Sequence, residues 1–310
     1  MHFISRFLIH QIKMETQQIK LGKVKVPILN FREGGSIPQI GYGTYELRQN
    51  DCITGVTEAL KIGYTHIDTA SVYRNEQDIA KVIHNPAYGI KREDLFITSK
   101  ISPGEQGYEQ AKKAVQDMLT RLNIKYLDCV LIHWPGVSKL PPNDPKNAQI
   151  RLETWKALIE LRKAGIIKHI GVSNFNINHL QHLIEKSEFK PEMNQFEIHP
   201  LCFNKKTIEF CQKNGILVEA YSPLARQHEK VMKHPLINQI AQKYKKTVPQ
   251  VILRWALQNN MVIIPKSKTP QRIQENIDIL DFVLTPEELE KMNSLDENLH
   301  TCWDPISVTH

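Results

Sequence analysis

Eight short apolar runs, each followed by a stretch of helical period, constrain this chain more than any other feature. The runs are PQIGYGTY, THIDTA, DLFITSK, LDCVLIHW, KHIGVSN, EMNQFEI, GILVEAYS and MVIIPKS. Between them lie stretches such as YEQAKKAVQDMLTRLN, LETWKALIELRKAG and NINHLQHLIEKS, apolar at i, i+3 and i+4. Asn or Thr often opens them and Gly or Asn closes them, as helix capping requires. Strands alternating with helices imply a parallel sheet wound by right-handed crossovers, either open or closed on itself.

The polar residues choose between the two. Seven of the eight runs carry a conspicuous polar group, mostly at or near the C-terminal end: Asp68, Lys100, His133, Ser173 with Asn174, Gln195, Tyr221 with Ser222, and Lys266 with Ser267. An open sheet needs polar tips only at its topological switch point. A barrel converges every strand end on one mouth. The expected fold is therefore α/β, a (β/α)8 TIM barrel. An N-terminal β-hairpin precedes it, over KVPILNFREGGSIP with a Gly-Gly turn, and the C-terminal tail NLHTCWDPISVTH is short. The dinucleotide fingerprint G-x-G-x-x-G is absent, since GYGTYE lacks its third glycine.

The chain has 310 residues, a length that α/β barrels reach as one domain. Residues 1–23 are expected to form a disordered N-terminal extension and residues 24–310 a single barrel domain. Two readings stay open for MHFISRFLIHQIK: a mitochondrial-type presequence, since it is basic and free of acids, or an extension ahead of a start at Met14. With 41% hydrophobic and 24% charged residues the composition is that of a soluble globular protein. No apolar run approaches the roughly 20 residues that span a bilayer. The five cysteines are scattered and contain no C-x-x-C, which fits free thiols in a reducing compartment and a cytoplasmic location. The formal charge of +7 is dispersed, so no membrane or nucleic-acid partner is expected.

On the barrel reading Asp68, Tyr73, Lys100 and His133 come from successive strand ends and are neighbours. Free tyrosine titrates near about 10, a weak acid for protonating an alkoxide. A Lys100 ammonium held by Asp68 is expected to lower the Tyr73 pKa, while His133 hydrogen-bonds a substrate oxygen. Singly these residues read otherwise: the aspartate as a helix cap, the histidine as structural, the lysine as solvated surface. A metal-dependent hydrolase would need a His/Asp/Glu cluster at the strand ends, for which His66 and His133 are the only candidates.

The segments GYTHIDTASVYRNE, LFITSK, DCVLIHWPG, IGVSNF, NQFEIHP, EAYSPLA and IPKSKTPQRIQEN together closely resemble the aldo-keto reductase family, from about residue 24 to about residue 305. Among its members the likeness is to short-loop bacterial and protist aldehyde reductases and prostaglandin F synthase-type proteins. The resemblance implies a barrel that binds NADPH/NADP+ and reduces carbonyl compounds, with Asp68, Tyr73, Lys100 and His133 as catalytic tetrad and Tyr73 as general acid. It also implies that Ser173, Asn174 and Gln195 hold the nicotinamide carboxamide while Tyr221 stacks on the ring. Ser222 and Leu224 join the cofactor site; Lys266, Ser267 and Arg272 hold the 2'-phosphate; Glu275 and Asn276 reach the adenine. The residues themselves support an anion site there, because a helix starting near Pro270 has Lys266 and Arg272 beside its N-terminus.

Two departures bear on dynamics and substrate. The segment RQHEKVMK is shorter than the cofactor-covering loop of the mammalian members, so looser clamping of the cofactor is expected. The short tail leaves an open pocket lined by Tyr45, Trp134 and Trp303, suited to a small-molecule carbonyl substrate. A monomer is expected, with no metal. The alternative is an NADPH-binding barrel with a structural or regulatory role, like relatives that serve as channel subunits or crystallins.

Overall fold

The structure, a computed structural model, describes residues 22, 24–304, 307 and 308. Apart from Gly22, the extension expected over 1–23 lies outside the described residues. The hairpin is present: β1 (Ile28–Asn30) pairs antiparallel with β2 (Ser36–Pro38). Gly34 and Gly35 take φ of 90° and 78° in its turn, a region that costs side-chain-bearing residues dearly.

Eight parallel strands follow: β3 (Gly41–Gly43), β4 (His66–Asp68), β5 (Phe96–Ile101), β6 (Leu127–Ile132), β7 (Ile167–Ser173), β8 (Met193–Glu197), β9 (Leu217–Tyr221) and β10 (Met261–Ile263). Each pairs with the next in chain order. The sheet closes on itself where Ile40 bridges Ile263 in parallel, with Ile263 N donating to Gln39 O at 2.9 Å and Gly43 N to Pro265 O at 3.2 Å. Crossover helices α1 (Gln49–Ile62), α2 (Glu76–Ile83), α3 (Tyr108–Leu122), α4 (Lys146–Lys163), α5 (Ile177–Lys186) and α6 (Lys205–Lys213) wrap the barrel. They are joined by α7 (Glu229–Met232), α8 (Pro235–Tyr244), α9 (Val248–Gln258), α10 (Pro270–Ile277) and α11 (Pro286–Asn293). No helix among the described residues is long and apolar enough to cross a membrane.

Two apolar layers hold this together. The larger lies between strands and helices, where Ile67, Ile97, Val130 and Val172 meet Val56, Val115, Trp155 and Leu158. Its strand members alternate with inward-facing ones, as a period-2 pleat demands. The smaller plugs the N-terminal end of the barrel: Phe31 and Ile37 of the hairpin segment pack with Phe96, Leu131, Met193 and Val262. The floor is thus apolar and the mouth is left to the polar residues at the strand C-termini. Space inside is tight, because a Cβ on Gly41 would stand 2.4 Å from the His66 ring.

Two boundaries differ from the sequence expectation. Helix α4 begins at Lys146, earlier than the period of LETWKALIELRKAG indicates, because Asn147 is fully buried and accepts from Val137 N at 2.9 Å. Strand β10 ends at Ile263, so Lys266 and Ser267 sit in the following loop and not on the strand; Pro265 lacks the N–H a further strand residue would donate.

Candidate active site

Asp68 is the last residue of β4 and does not cap a helix; its carboxylate accepts from Lys100 Nζ at 2.6 and 2.8 Å. The third Lys100 bond goes to Thr69 O at 2.9 Å, and the lysine is fully buried. Burial works against charge on Lys100, but the Asp68 carboxylate outweighs it and holds the ammonium above the usual lysine range. The two are a buried ion pair, not the solvated lysine and helix cap that each suggests alone.

Tyr73 ends a 3-10 turn, Ser71–Tyr73, in the loop after β4. Asn75 fixes that loop. It is fully buried, donates to Thr44 O and Leu47 O at 2.9 Å each, and accepts from Thr69 Oγ1 at 2.7 Å. Lys100 Nζ lies 5.2 Å from the centre of the Tyr73 ring, and the His133 ring stands edge-on to it at 5.9 Å. Burial is the largest influence on the Tyr73 hydroxyl and pushes it up to about 12, while the Lys100 charge pulls the other way. The expected net lowering is therefore corrected: desolvation of the phenolate exceeds the attraction of one cation already paired with Asp68. Tyr73 stays protonated at neutral pH, the form a proton donor needs. His133, just past β6, is held well below the usual histidine range by burial and by Lys100, so its ring is neutral. Its Nδ1 has no hydrogen-bond partner among the described residues.

Tyr73 and His133 face a cavity of about 380 Å³, also lined by Tyr45, Asp68, Trp134, Asn174, Gln195, Tyr221, Ser222 and Trp303. All three expected substrate-lining aromatics are in its wall, with the Trp134 and Trp303 rings 4.6 Å apart. Gln195 Nε2 donates to Asp68 Oδ2 at 2.9 Å and to Glu219 Oε2 at 2.6 Å, which leaves the carbonyl Oε1 for a ligand. Asn174, at a φ of 63°, donates to His133 O at 2.9 Å and to Ser173 Oγ at 3.1 Å, and accepts from the Tyr221 hydroxyl at 2.8 Å. Ser173 is fully buried behind it and does not line the cavity.

A second cavity of about 410 Å³ shares Tyr45, Ser222, Arg226 and Lys266 with the first and continues to Leu224, Ser267, Lys268 and Arg272. Helix α10 opens at this end with Pro270, no side-chain cap and no acidic residue in its first turn. Unpaired N–H groups, the positive end of the helix dipole and Lys and Arg side chains suit a phosphate. Glu275 and Asn276 lie further along α10 and line neither cavity. The chain thus offers an acceptor and an amide beside Tyr73 at one end of a groove and a basic helix start suited to phosphate at the other, which fits a nicotinamide dinucleotide phosphate.

The short segment after β9 is ordered by pairs that sequence reading did not foresee. Arg226 contacts Glu46 at 3.1 Å and lies over the Tyr45 ring, while Lys266 approaches Glu46 at 3.5 Å. Ser222, Ala225, Arg226 and Gln227 all take positive φ, and Val231 of α7 is fully buried. The segment thus reaches Glu46 across the groove, a contact that its length does not reveal. Also unforeseen, Glu197 of β8 anchors the tail: its carboxylate accepts from Thr301 N at 2.9 Å, from the Thr301 hydroxyl and from Cys302 N at 3.1 Å. Burial opposes its charge, but these donors and His199 hold it near about 2. Cys202 and His300 bring ligand atoms within 4.8 Å of it, a donor group that a search limited to His66 and His133 does not reach. Glu219 was missed too; its only sequence signal was a carboxylate inside the apolar run GILVEAYS.

Residues 39–297 match the model of the Aldo/keto reductase family. The chain is 41% identical over 271 residues to the glyoxal reductase of Bacillus subtilis, covering 87% of this chain and 93% of that one. It is 38% identical over 278 residues to the methylglyoxal reductase DkgA of Escherichia coli K12, covering 90% and 96%. The crystal structure of a Bombyx mori aldo-keto reductase in complex with NADP superposes with a TM-score of 0.80 at 32% identity, covering 90% of this chain and 95% of that one. These relatives are named for reduction, and none favours the structural or regulatory alternative. The chain belongs to the aldo/keto reductase family.

Proposed function

We propose that this chain is an NADPH-dependent reductase of small aldehydes and ketones, with Tyr73 as proton donor. NADP-dependent carbonyl reduction follows from the family and the named reductases among its relatives; the roles of single residues are the finer assignment. One observation carries it: Tyr73 and His133 face Gln195, Asn174 and Tyr221 across one cavity, with the Asp68–Lys100 pair directly behind.

When bound, the reduced nicotinamide supplies a hydride to the carbonyl carbon. Tyr73 donates its proton to the carbonyl oxygen, and Lys100 stabilises the charge that this leaves on the phenol oxygen. Asp68 keeps Lys100 charged and in place. Neutral His133 donates a hydrogen bond that orients the carbonyl oxygen. Gln195 and Asn174 hold the carboxamide, Ser173 steadies Asn174, and Tyr221 packs on the ring. Lys266, Ser267 and Arg272 bind the 2'-phosphate, while Leu224, Glu275 and Asn276 complete the adenosine side. Tyr45, Trp134 and Trp303 form flat apolar walls suited to small substrates such as 2-oxoaldehydes. The protein acts as a monomer, which light scattering checks.

The test is the fall in NADPH absorbance with a panel of small aldehydes, for the native protein and for Tyr73→Phe. The variant should lose roughly 10²–10⁴-fold in kcat with NADPH binding unchanged. Turnover retained in the variant removes Tyr73 from its role. Absence of turnover by the native protein despite tight NADPH binding removes the reductase.

A further inference from the structure

The buried group that this mechanism leaves without a task is Glu219, at the centre of β9. It is fully buried, pairs in register with Gln195 of β8 on one side and with Val262 of β10 on the other, and faces the barrel interior. Its Oε2 accepts from Gln195 Nε2 at 2.6 Å, a shorter bond than the 2.9 Å one from the same nitrogen to Asp68. Its Oε1 has no hydrogen-bond partner among the described residues and lies 3.7 Å from His66 Nε2.

We propose that Glu219 is a positioning residue for the cofactor: it clamps the Gln195 amide so that its carbonyl, not its NH₂, faces the nicotinamide carboxamide, and its charge biases the site toward the oxidised, cationic ring. This rests on the nicotinamide site proposed above. An amide anchored only to Asp68 can swing about that one bond. Anchored to two carboxyl groups it is fixed in plane, and both its protons are committed, since a protonated carboxyl still accepts through its carbonyl oxygen. Presenting NH₂ to the carboxamide NH₂ would set donor against donor, which a buried site cannot tolerate.

The charge argument starts from the neighbours. Asp68 and His66 face Glu219 from β4, Lys100 from β5 and Cys129 from β6, with Tyr73 beyond Lys100. Burial first, and the Asp68 charge second, push Glu219 up to about 8. His66 is held down to about 3, and Cys129 and Tyr73 are held above their ordinary values. Burial raises Asp68 as well, against the pull of Lys100, so the proton lost between neutral and mildly alkaline pH belongs to the Asp68–Glu219 pair that shares the Gln195 amide. Below about pH 8 that pair keeps one proton and, together with the Lys100 ammonium, sums to no charge. Above that pH one net negative charge enters the floor beneath the nicotinamide and favours the cationic NADP+ over neutral-ringed NADPH.

The experiment measures Kd for NADP+ and for NADPH by quenching of protein fluorescence between neutral and alkaline pH. The 2'-phosphate titrates alike in both forms and drops out of the ratio. In the native protein Kd(NADP+)/Kd(NADPH) should fall by roughly threefold to tenfold as pH rises through about 8. In Glu219→Gln, which keeps an acceptor but cannot ionise, the ratio should stay flat while affinity at neutral pH is kept. In Glu219→Leu both Kd values should rise by about tenfold or more. A flat ratio in the native protein, a step that persists in Glu219→Gln, or a folded Glu219→Leu that binds as the native does overturns the inference alone. A native protein that binds neither form overturns the nicotinamide site and the role of Glu219 with it.

Discussion

The Asp68–Lys100 contact is fully desolvated, so its partners cannot be removed one at a time without penalty. Lys100→Met strands a buried carboxylate, which costs on the order of 3–5 kcal/mol. The variant should melt lower and lose turnover, while the double variant Asp68→Asn/Lys100→Met should regain part of the stability and none of the activity. Calorimetry of the three proteins checks this, and a double variant no more stable than Lys100→Met contradicts it. At the other end of the groove Arg272 is exposed beside the uncapped start of α10. A charge-assisted bond to the 2'-phosphate contributes about 1.5–3 kcal/mol. Arg272→Ala should therefore raise KM for NADPH roughly tenfold to a hundredfold and leave KM for NADH alone. Equal kcat/KM for the two cofactors in the native protein would remove the phosphate site.

At the level of elements, α5 and the C-terminal segment are coupled through His179. Its Nδ1 accepts from Asn176 N at 3.3 Å and its Nε2 donates to Val308 O at 2.8 Å, so both ring nitrogens are used by the neutral form. Burial first, then the Arg151 charge, lower its pKa to about 4. A folded pKa held below the unfolded value of about 6.5 means that the unfolded chain binds the proton more readily. The stability from His179 is complete above about pH 6.5 and is lost as pH falls toward about 4, amounting to about 3 kcal/mol. The Tm of the native protein should drop across that window, and His179→Asn should flatten the drop. An identical pH dependence in the variant would show that the tail is not held this way. The tail matters to the site because Cys302 and Trp303, two of its residues, line the cavity that Tyr73 faces.

On the scale of the whole molecule, closure of the sheet is what turns separate strand ends into a site. Any ligand that binds only the closed barrel stabilises it by mass action, by about 2.7 kcal/mol at a hundredfold excess over Kd. NADPH at that excess should raise Tm by roughly 5 °C, and NADH at the same concentration by less. A Tm indifferent to NADPH would mean that the groove does not take it.

Element identity and order were legible in the chain because they rest on local physics. Period-2 and period-3.6 apolar patterns and cap residues act within a few positions, and polar groups at the ends of apolar runs mark the mouth of a barrel. Asp68, Lys100 and His133 could be named because each sits at or beside a strand end where side chains converge, and Tyr73 because it lies in the short loop after one. The remainder depends on distances across the barrel that no local pattern encodes. Desolvation raises Tyr73 although a cation is near, since the balance depends on how deeply the hydroxyl is enclosed. Glu46, Arg226 and Glu219 act on residues more than twenty positions away, and spacing gave no reason to pair them. Ser173 falls behind Asn174 because the left-handed turn at Asn174 sets its position. Local sequence selects the elements and the chemistry carried to the mouth; which side chains meet, and how strongly their charges are felt, follows from closing the sheet and excluding water from its interior.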